Sequence, residues 1–200
     1  MFTIVEDGAA GSCSKRAHIL DAATRCFSLH GFQKASMEEI ARDADMSRRS
    51  LYRVFPDKLT LLREVNRERA RAFLENVEKR TAAISGLSAQ IEEVVRLTNR
   101  FVHDDPLTAA MHRADPHALA RSVTTDAREL LATAMEAIIP LIGSARDRGE
   151  IRPDIDVRRA AEWITRVVFS LVATPSVTFD SEDAVKTAEF IREFLLPGLR

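Results

Sequence analysis

Two serines constrain the first third of this 200-residue chain more than any other feature. In Ser36-Met37-Glu38-Glu39 the hydroxyl of Ser36 can accept from the amide of Glu39 while the glutamate reaches back, a capping box that starts a helix burying Ile40, Ala41 and Ala44. That helix has to be short. Asp45-Met46-Ser47 joins a residue that tolerates left-handed backbone to a second capping serine. The next helix, over about 48 to 54, buries Leu51 and Phe55 one turn apart. Pro56 closes it, because the residue before a proline avoids the helical region, and Asp57 can cap a further helix from Lys58.

Ahead of this pair, Ile19, Leu20, Ala23 and Phe27 recur at helical spacing and Gly31 offers a left-handed terminator, which predicts a first helix over about 15 to 30. Two short helices joined by a turn of about three residues and backed by an amphipathic helix form a compact helix-turn-helix. The rest reads as longer helices at about 58 to 80, 88 to 103, 107 to 113, 117 to 148, 156 to 174 and 181 to 196. Their breaks fall at Ser85-Gly86, Asp104-Asp105-Pro106, Asp115-Pro116, Gly149 to Pro153 and Thr174-Pro175. Seven glycines, seven prolines and one tyrosine against many Ala, Leu, Arg and Glu place the chain in the all-α class. With 46% apolar residues it can bury a proper core. The expected division is a loose arm over 1–14, a three-helix helix-turn-helix domain over 15–58 and a helical domain over 59–200.

The formal charge of -1 creates no strong overall field, so any affinity for nucleic acid must come from a local patch. Such a patch lies in Ser47 to Lys58, where Arg48, Arg49, Arg53 and Lys58 face one anion, Asp57. With Leu51 and Phe55 turned inward, Arg48, Arg49, Ser50, Tyr52 and Arg53 occupy the other faces of the same short helix. An arginine near the start of a reading helix can grip guanine O6 and N7 in a fork worth about 1 to 3 kcal/mol of discrimination, so Arg48 and Arg49 are the candidate base readers. Tyr52 and Arg53, with Ser36, Met37, Ser47 and Lys58 at the starts of helices, are placed for the sugar-phosphate backbone, because helix N-termini favour anions. Singly each is an ordinary solvated side chain. Their joint placement on one capped unit points to double-stranded DNA.

Other chemistry is poorly provided for. Cys13 and Cys26 form no disulfide framework, and neither has a base at catalytic spacing. His103-Asp104-Asp105, His112 and His117 are the one cluster of metal-ligand types, but they straddle an expected helix end and match no His-Glu-x-x-His pattern. No glycine-rich phosphate loop appears, so neither a metal, a cofactor nor an enzymatic reaction is expected. Leu130 to Ile142 and Trp163 to Pro175 fall short of the roughly 20 residues a membrane helix needs and contain Glu136 and Arg166. Met1 to Gly11 lacks a signal-peptide pattern, and a cytoplasmic protein is expected.

The first sixty residues or so resemble the tetracycline repressor (tetR) family of bacterial transcription regulators. The matching positions are Ile19-Leu20-Asp21-Ala22-Ala23, Phe27, Gly31-Phe32, Ser36-Met37, Ile40-Ala41, Ala44, Met46-Ser47, Leu51-Tyr52, Phe55 and Lys58. The family often carries glycine where Asp45 and Arg49 stand, threonine at Ser36 and an aromatic or histidine at Val54. The resemblance implies a homodimer on a palindromic operator, repression as the default, and release by a small molecule bound among the middle helices. For that effector, Phe101, Met111, Leu131 and Met135 are the candidate apolar lining, and His103, His112 and Arg113 the polar contacts. Their aliphatic and sulfur character favours an apolar or amphipathic ligand. Trp163, Ile164, Val167, Val168 and Leu171 on one helix, and Val185, Ala188, Ile191, Phe194 and Leu195 on the last, are the candidate dimer surfaces. A helical protein-binding adaptor that has kept a regulator fold is the alternative, and Arg48 and Arg49 beside Tyr52 argue against it.

Overall fold

A computed structural model of the chain describes residues 7–114, 127–174, 176–181 and 183–199. Among them the regular structure is entirely helical: α1 (Asp7–Lys34), α2 (Met37–Asp43), α3 (Arg48–Val54), α4 (Lys58–Ala82), α5 (Leu87–His103), α6 (Pro106–Ala114), α7 (Ala127–Asp147), α8 (Val157–Ala173) and α9 (Ala184–Leu199). The chain divides into two units, one of Met1–Arg69 with Pro106–Ala114 and one of Ala70–Asp105 with Asp115–Arg200.

The first unit is built on α1. Ile19, Ala22, Ala23 and Phe27 are fully buried at helical spacing and meet Ile40, Ala41, Leu51, Phe55, Leu61 and Val65 in one core. Each of the large side chains removed from water there contributes about 1.5–3 kcal/mol. Gly31, at φ 75 and ψ 159, breaks the helical path with backbone that a side chain would strain. The amide of Ala35 then bonds back to the Gly31 carbonyl at 3.1 Å. Two features bear on the expected division. From Asp7 onward the stretch read as part of a loose arm is helical. By contacts the first unit runs to Arg69, within α4, and takes in α6. The physical reason is long-range: α6 packs on α1, with Leu107 1% exposed in the same core and Met111 packed against it.

In the second unit α7 packs on α8, α9 packs on α5 and α8, and α5 touches α7 and α8. The core runs through Ile91, Val94, Val95, Ile138, Ile142, Ile164, Val168 and Ile191. The break at Gly86 leaves the start of α5 without a side-chain cap of its own. Glu150, beyond the end of α7, supplies one by accepting from the Leu87 amide at 2.7 Å. Asp156 caps α8 through the amides of Arg158 and Arg159, and Asp183 caps α9 through those of Val185 and Lys186. Glu93 is 8% exposed and is held by Arg96 and Arg80, whose hydrogen bonds keep its carboxyl below the usual glutamate range. The expected helix over 117 to 148 is observed as Ala127–Asp147, and its first part lies outside the described residues, as do Asp115-Pro116 and His117.

Candidate nucleic-acid interface

The capping box forms as the spacing requires. Ser36 Oγ accepts from the Glu39 amide at 3.1 Å, and Glu39 Oε2 accepts from the Ser36 amide at 3.0 Å and from its hydroxyl at 2.9 Å. These bonds, the side-chain one foremost, pull the Glu39 carboxyl below its ordinary range. Asp45 turns the chain at φ 50, and the Met46 amide bonds the Ala41 carbonyl at 2.9 Å. Ser47 then starts α3, its Oγ accepting from the Ser50 amide at 3.2 Å and donating to Ser50 Oγ at 3.0 Å. Leu51, fully buried, and Phe55, 1% exposed, clamp α3 to the core and leave its opposite face in solvent.

On that face lie Arg48, Arg49, Tyr52 and Arg53, all exposed. Arg49 and Arg53 have no hydrogen-bond or ion-pair partner among the described residues. Arg48 is engaged twice: its Nη1 stands 3.8 Å from Glu38 Oε2, and its guanidinium lies over the Tyr52 ring at 5.6 Å. Sequence reading overlooked Glu38, although its place in the first turn of α2 was visible in the capping box.

Three of the expected backbone contacts change character. Met37 is 7% exposed and packs into the core, so its amide at the start of α2, not its side chain, is what it can offer. Ser36 has its one hydroxyl donor committed to Glu39. Lys58 reaches back across the unit. Its Nζ donates to the carbonyls of Phe32 at 2.7 Å, Ala35 at 2.8 Å and Gln33 at 3.3 Å, and stands 4.6 Å from the Phe32 ring centre. A cation there satisfies carbonyls left open where α1 ends. Asp57 caps α4 beside it, accepting from the Thr60 amide at 2.7 Å, which lowers its carboxyl. Arg16 was also missed; it pairs with Glu64 and lies over the Phe55 ring at 4.9 Å, securing α1 to α4 behind the reading helix. Cys26 is 7% exposed, and burial pushes its thiol up, with Glu39 and Asp43 adding to the effect.

Residues 19–65, which contain this arrangement apart from Arg16, match the family described as bacterial regulatory proteins, tetR family. The helix-turn-helix of this segment is that of the tetR family. The chain is a helix-turn-helix DNA-binding transcriptional regulator. Among its relatives is the HTH-type transcriptional regulator UidR of Escherichia coli K12, 27% identical over 184 residues that cover 88% of this chain and 86% of UidR. The fold matches a tetR-family regulator from Pectobacterium atrosepticum at TM-score 0.73 and 18% identity, covering 96% of both chains. It also matches the regulator FadR of Bacillus subtilis, solved in complex with stearoyl-CoA, at TM-score 0.65 and 20% identity, covering 92% of this chain and 99% of FadR.

The candidate effector residues do not all gather. Phe101 stacks on Phe73 with ring centres 5.0 Å apart, Met135 packs against the second-unit core, Leu131 is half-buried, and His103 is exposed at the end of α5. Met111, partly buried, packs against the core of the first unit. The side chains of His112 and Arg113 lie outside the described residues. The second unit has an open groove of about 440 Å³ lined by Arg152, Asp156, Arg159, Trp163 and Leu199 among others, and none of the candidate effector residues is in it.

The candidate dimer surfaces split in the same way. Val168 at 6% exposure and Ile191 at 1%, with Ile164 and Ala188, are core residues of their own chain. Val167 and Leu171 pack against that core while half-buried. Trp163, Val185 and Phe194 are 48%, 57% and 61% exposed, and Leu195's side chain lies outside the described residues. Among the described residues no helix is long and apolar enough to cross a membrane.

Proposed function

We propose that the chain is a cytoplasmic repressor that binds a palindromic operator as a homodimer, inserts α3 in the major groove, and releases DNA when a small apolar or amphipathic effector binds its second unit. The observation that carries the DNA-reading part is the pair of guanidiniums, Arg49 and Arg53, without a partner among the described residues, on the exposed face of a helix whose other side is clamped by Leu51 and Phe55. Arg49, near the start of α3, reads a base edge. Arg53, Tyr52 and the amides of Met37 and Ser47 meet the sugar-phosphate backbone. One reading helix per chain calls for two chains on a two-fold site. The exposed Trp163, Val185 and Phe194 on α8 and α9 supply apolar anchors for the second copy.

The effector class rests on the apolar side chains of Phe73, Phe101, Leu131 and Met135, and the likeness to a regulator solved with stearoyl-CoA supports it. Selecting bound fragments from random DNA tests the whole reading. Enrichment of one inverted repeat, bound by two chains and released by long-chain acyl-CoA, is the expected result. Failure to enrich any sequence refutes the DNA assignment, one chain per site refutes the dimer, and release only by hydrophilic compounds refutes the effector class.

A further inference from the structure

Of the carboxylates in the reading segment, most are occupied by the protein's own framework. Glu39 is tied to Ser36, Asp43 pairs with Arg25 at 2.9 Å, and Asp57 caps α4. Glu38 alone is engaged by a cation of the reading helix, Arg48. Both partners are well exposed, with side chains 76% and 63% accessible, so their contact is weak enough to be exchanged for another. The Tyr52 ring beneath the Arg48 guanidinium keeps it near α3 in either state.

We propose that Glu38 is a positioning residue that sets DNA discrimination: by holding Arg48 against the protein, it withholds one cation from non-specific duplex. This rests on α3 being the DNA-reading helix. Non-specific binding is almost wholly a matter of phosphates neutralised and counterions released, so a cation held by an internal carboxylate subtracts directly from it. On a cognate site the base-edge hydrogen bonds of Arg49 fix how α3 docks with Arg48 still on Glu38, so removing Glu38 gains little there, whereas a random sequence leaves α3 free to bring the released cation to a phosphate. Specificity then comes in part from weakening the wrong complex, not only from strengthening the right one.

The test uses the full-length protein, the selected operator fragment and a scrambled duplex of the same length and composition, titrated at several salt concentrations. The variants are Glu38→Gln, Arg48→Gln and the two combined. Glu38→Gln is expected to bind the scrambled duplex about three- to fivefold tighter, with a salt slope steeper by up to about 0.9, while operator affinity changes by less than about twofold. With Arg48→Gln already present, the same change should produce no gain, which separates action through Arg48 from simple relief of repulsion. An equal gain on both duplexes, a gain that survives Arg48→Gln, or a loss on both overturns the proposal. If the wild type itself does not discriminate operator from scrambled duplex, the DNA-reading role of α3 falls too. If the wild type discriminates and Glu38→Gln leaves the ratio unchanged, only the role of Glu38 falls.

Discussion

Lys58→Met removes the ammonium from three carbonyls while keeping most of the side chain's bulk, and its cost can be worked from the contacts. The two short bonds, to Phe32 at 2.7 Å and Ala35 at 2.8 Å, are only part-buried, whereas the bond to Gln33 at 3.3 Å is exposed. Solvent therefore discounts them to about 1 kcal/mol for each short bond, with about 0.5 kcal/mol for the contact with the Phe32 ring. The total, about 2–3 kcal/mol, should appear as amide exchange about 30- to 150-fold faster in α2 and α3, measured on the full-length protein by hydrogen exchange. DNA binding should weaken on every sequence with its salt slope unchanged, because the lost cation holds protein, not phosphate. Exchange altered by less than about threefold, together with a salt slope shallower by about 0.9, would show that Lys58 is a phosphate ligand and refute this account.

Three further outcomes follow from the same geometry. Ser36→Ala removes the hydroxyl half of the capping box, leaving Glu39 only the backbone amide of residue 36, and should lower the stability of the first unit by about 1 kcal/mol in urea unfolding, while Ser36→Thr should retain most of it. Asp45→Gly relieves the left-handed backbone at φ 50 but frees the unfolded chain, so the midpoint should move by less than about 1 kcal/mol in either direction; a larger loss would assign Asp45's carboxylate a contact of its own. Glu39, Asp57, Glu93 and Glu150 all have carboxyls lowered in the folded chain, so below about pH 5 the unfolded chain binds more protons than the native one. Their stabilisation is present above that pH and is lost as pH falls through the lowered native values. Denaturation midpoints from pH 7 to 3 that stay level would contradict it.

What the sequence made legible was local. A serine three residues before a glutamate, an aspartate before a second serine and a proline before an aspartate each act within one turn of chain, and each appears as spacing predicted it. What it hid depends on neighbours far away in sequence. Nothing near Met111 announces that it packs in the same core as Phe27, and nothing near Lys58 announces three carbonyls some 25 residues earlier. The apolar stripe of α8 is wide enough to read as one surface, yet Ala161, Ile164 and Val168 turn into the core while Trp163 turns out. The one polar signal within reach was Glu38. Its role was missed because a first-turn glutamate is explained so readily by the helix dipole.

The clip at Lys58 also has a chemical consequence. Its Nζ has its three donors committed to the Phe32, Gln33 and Ala35 carbonyls and lies against the Phe32 ring, so an acylating reagent must wait for the clip to open before it meets a free amine. Lys34 and Lys79 stand exposed on their helices and offer amines that such a reagent can reach. Labelling of the folded protein should therefore mark those lysines early and Lys58 last, making a single amine a clock for the moments when the end of α1 lets go of α4.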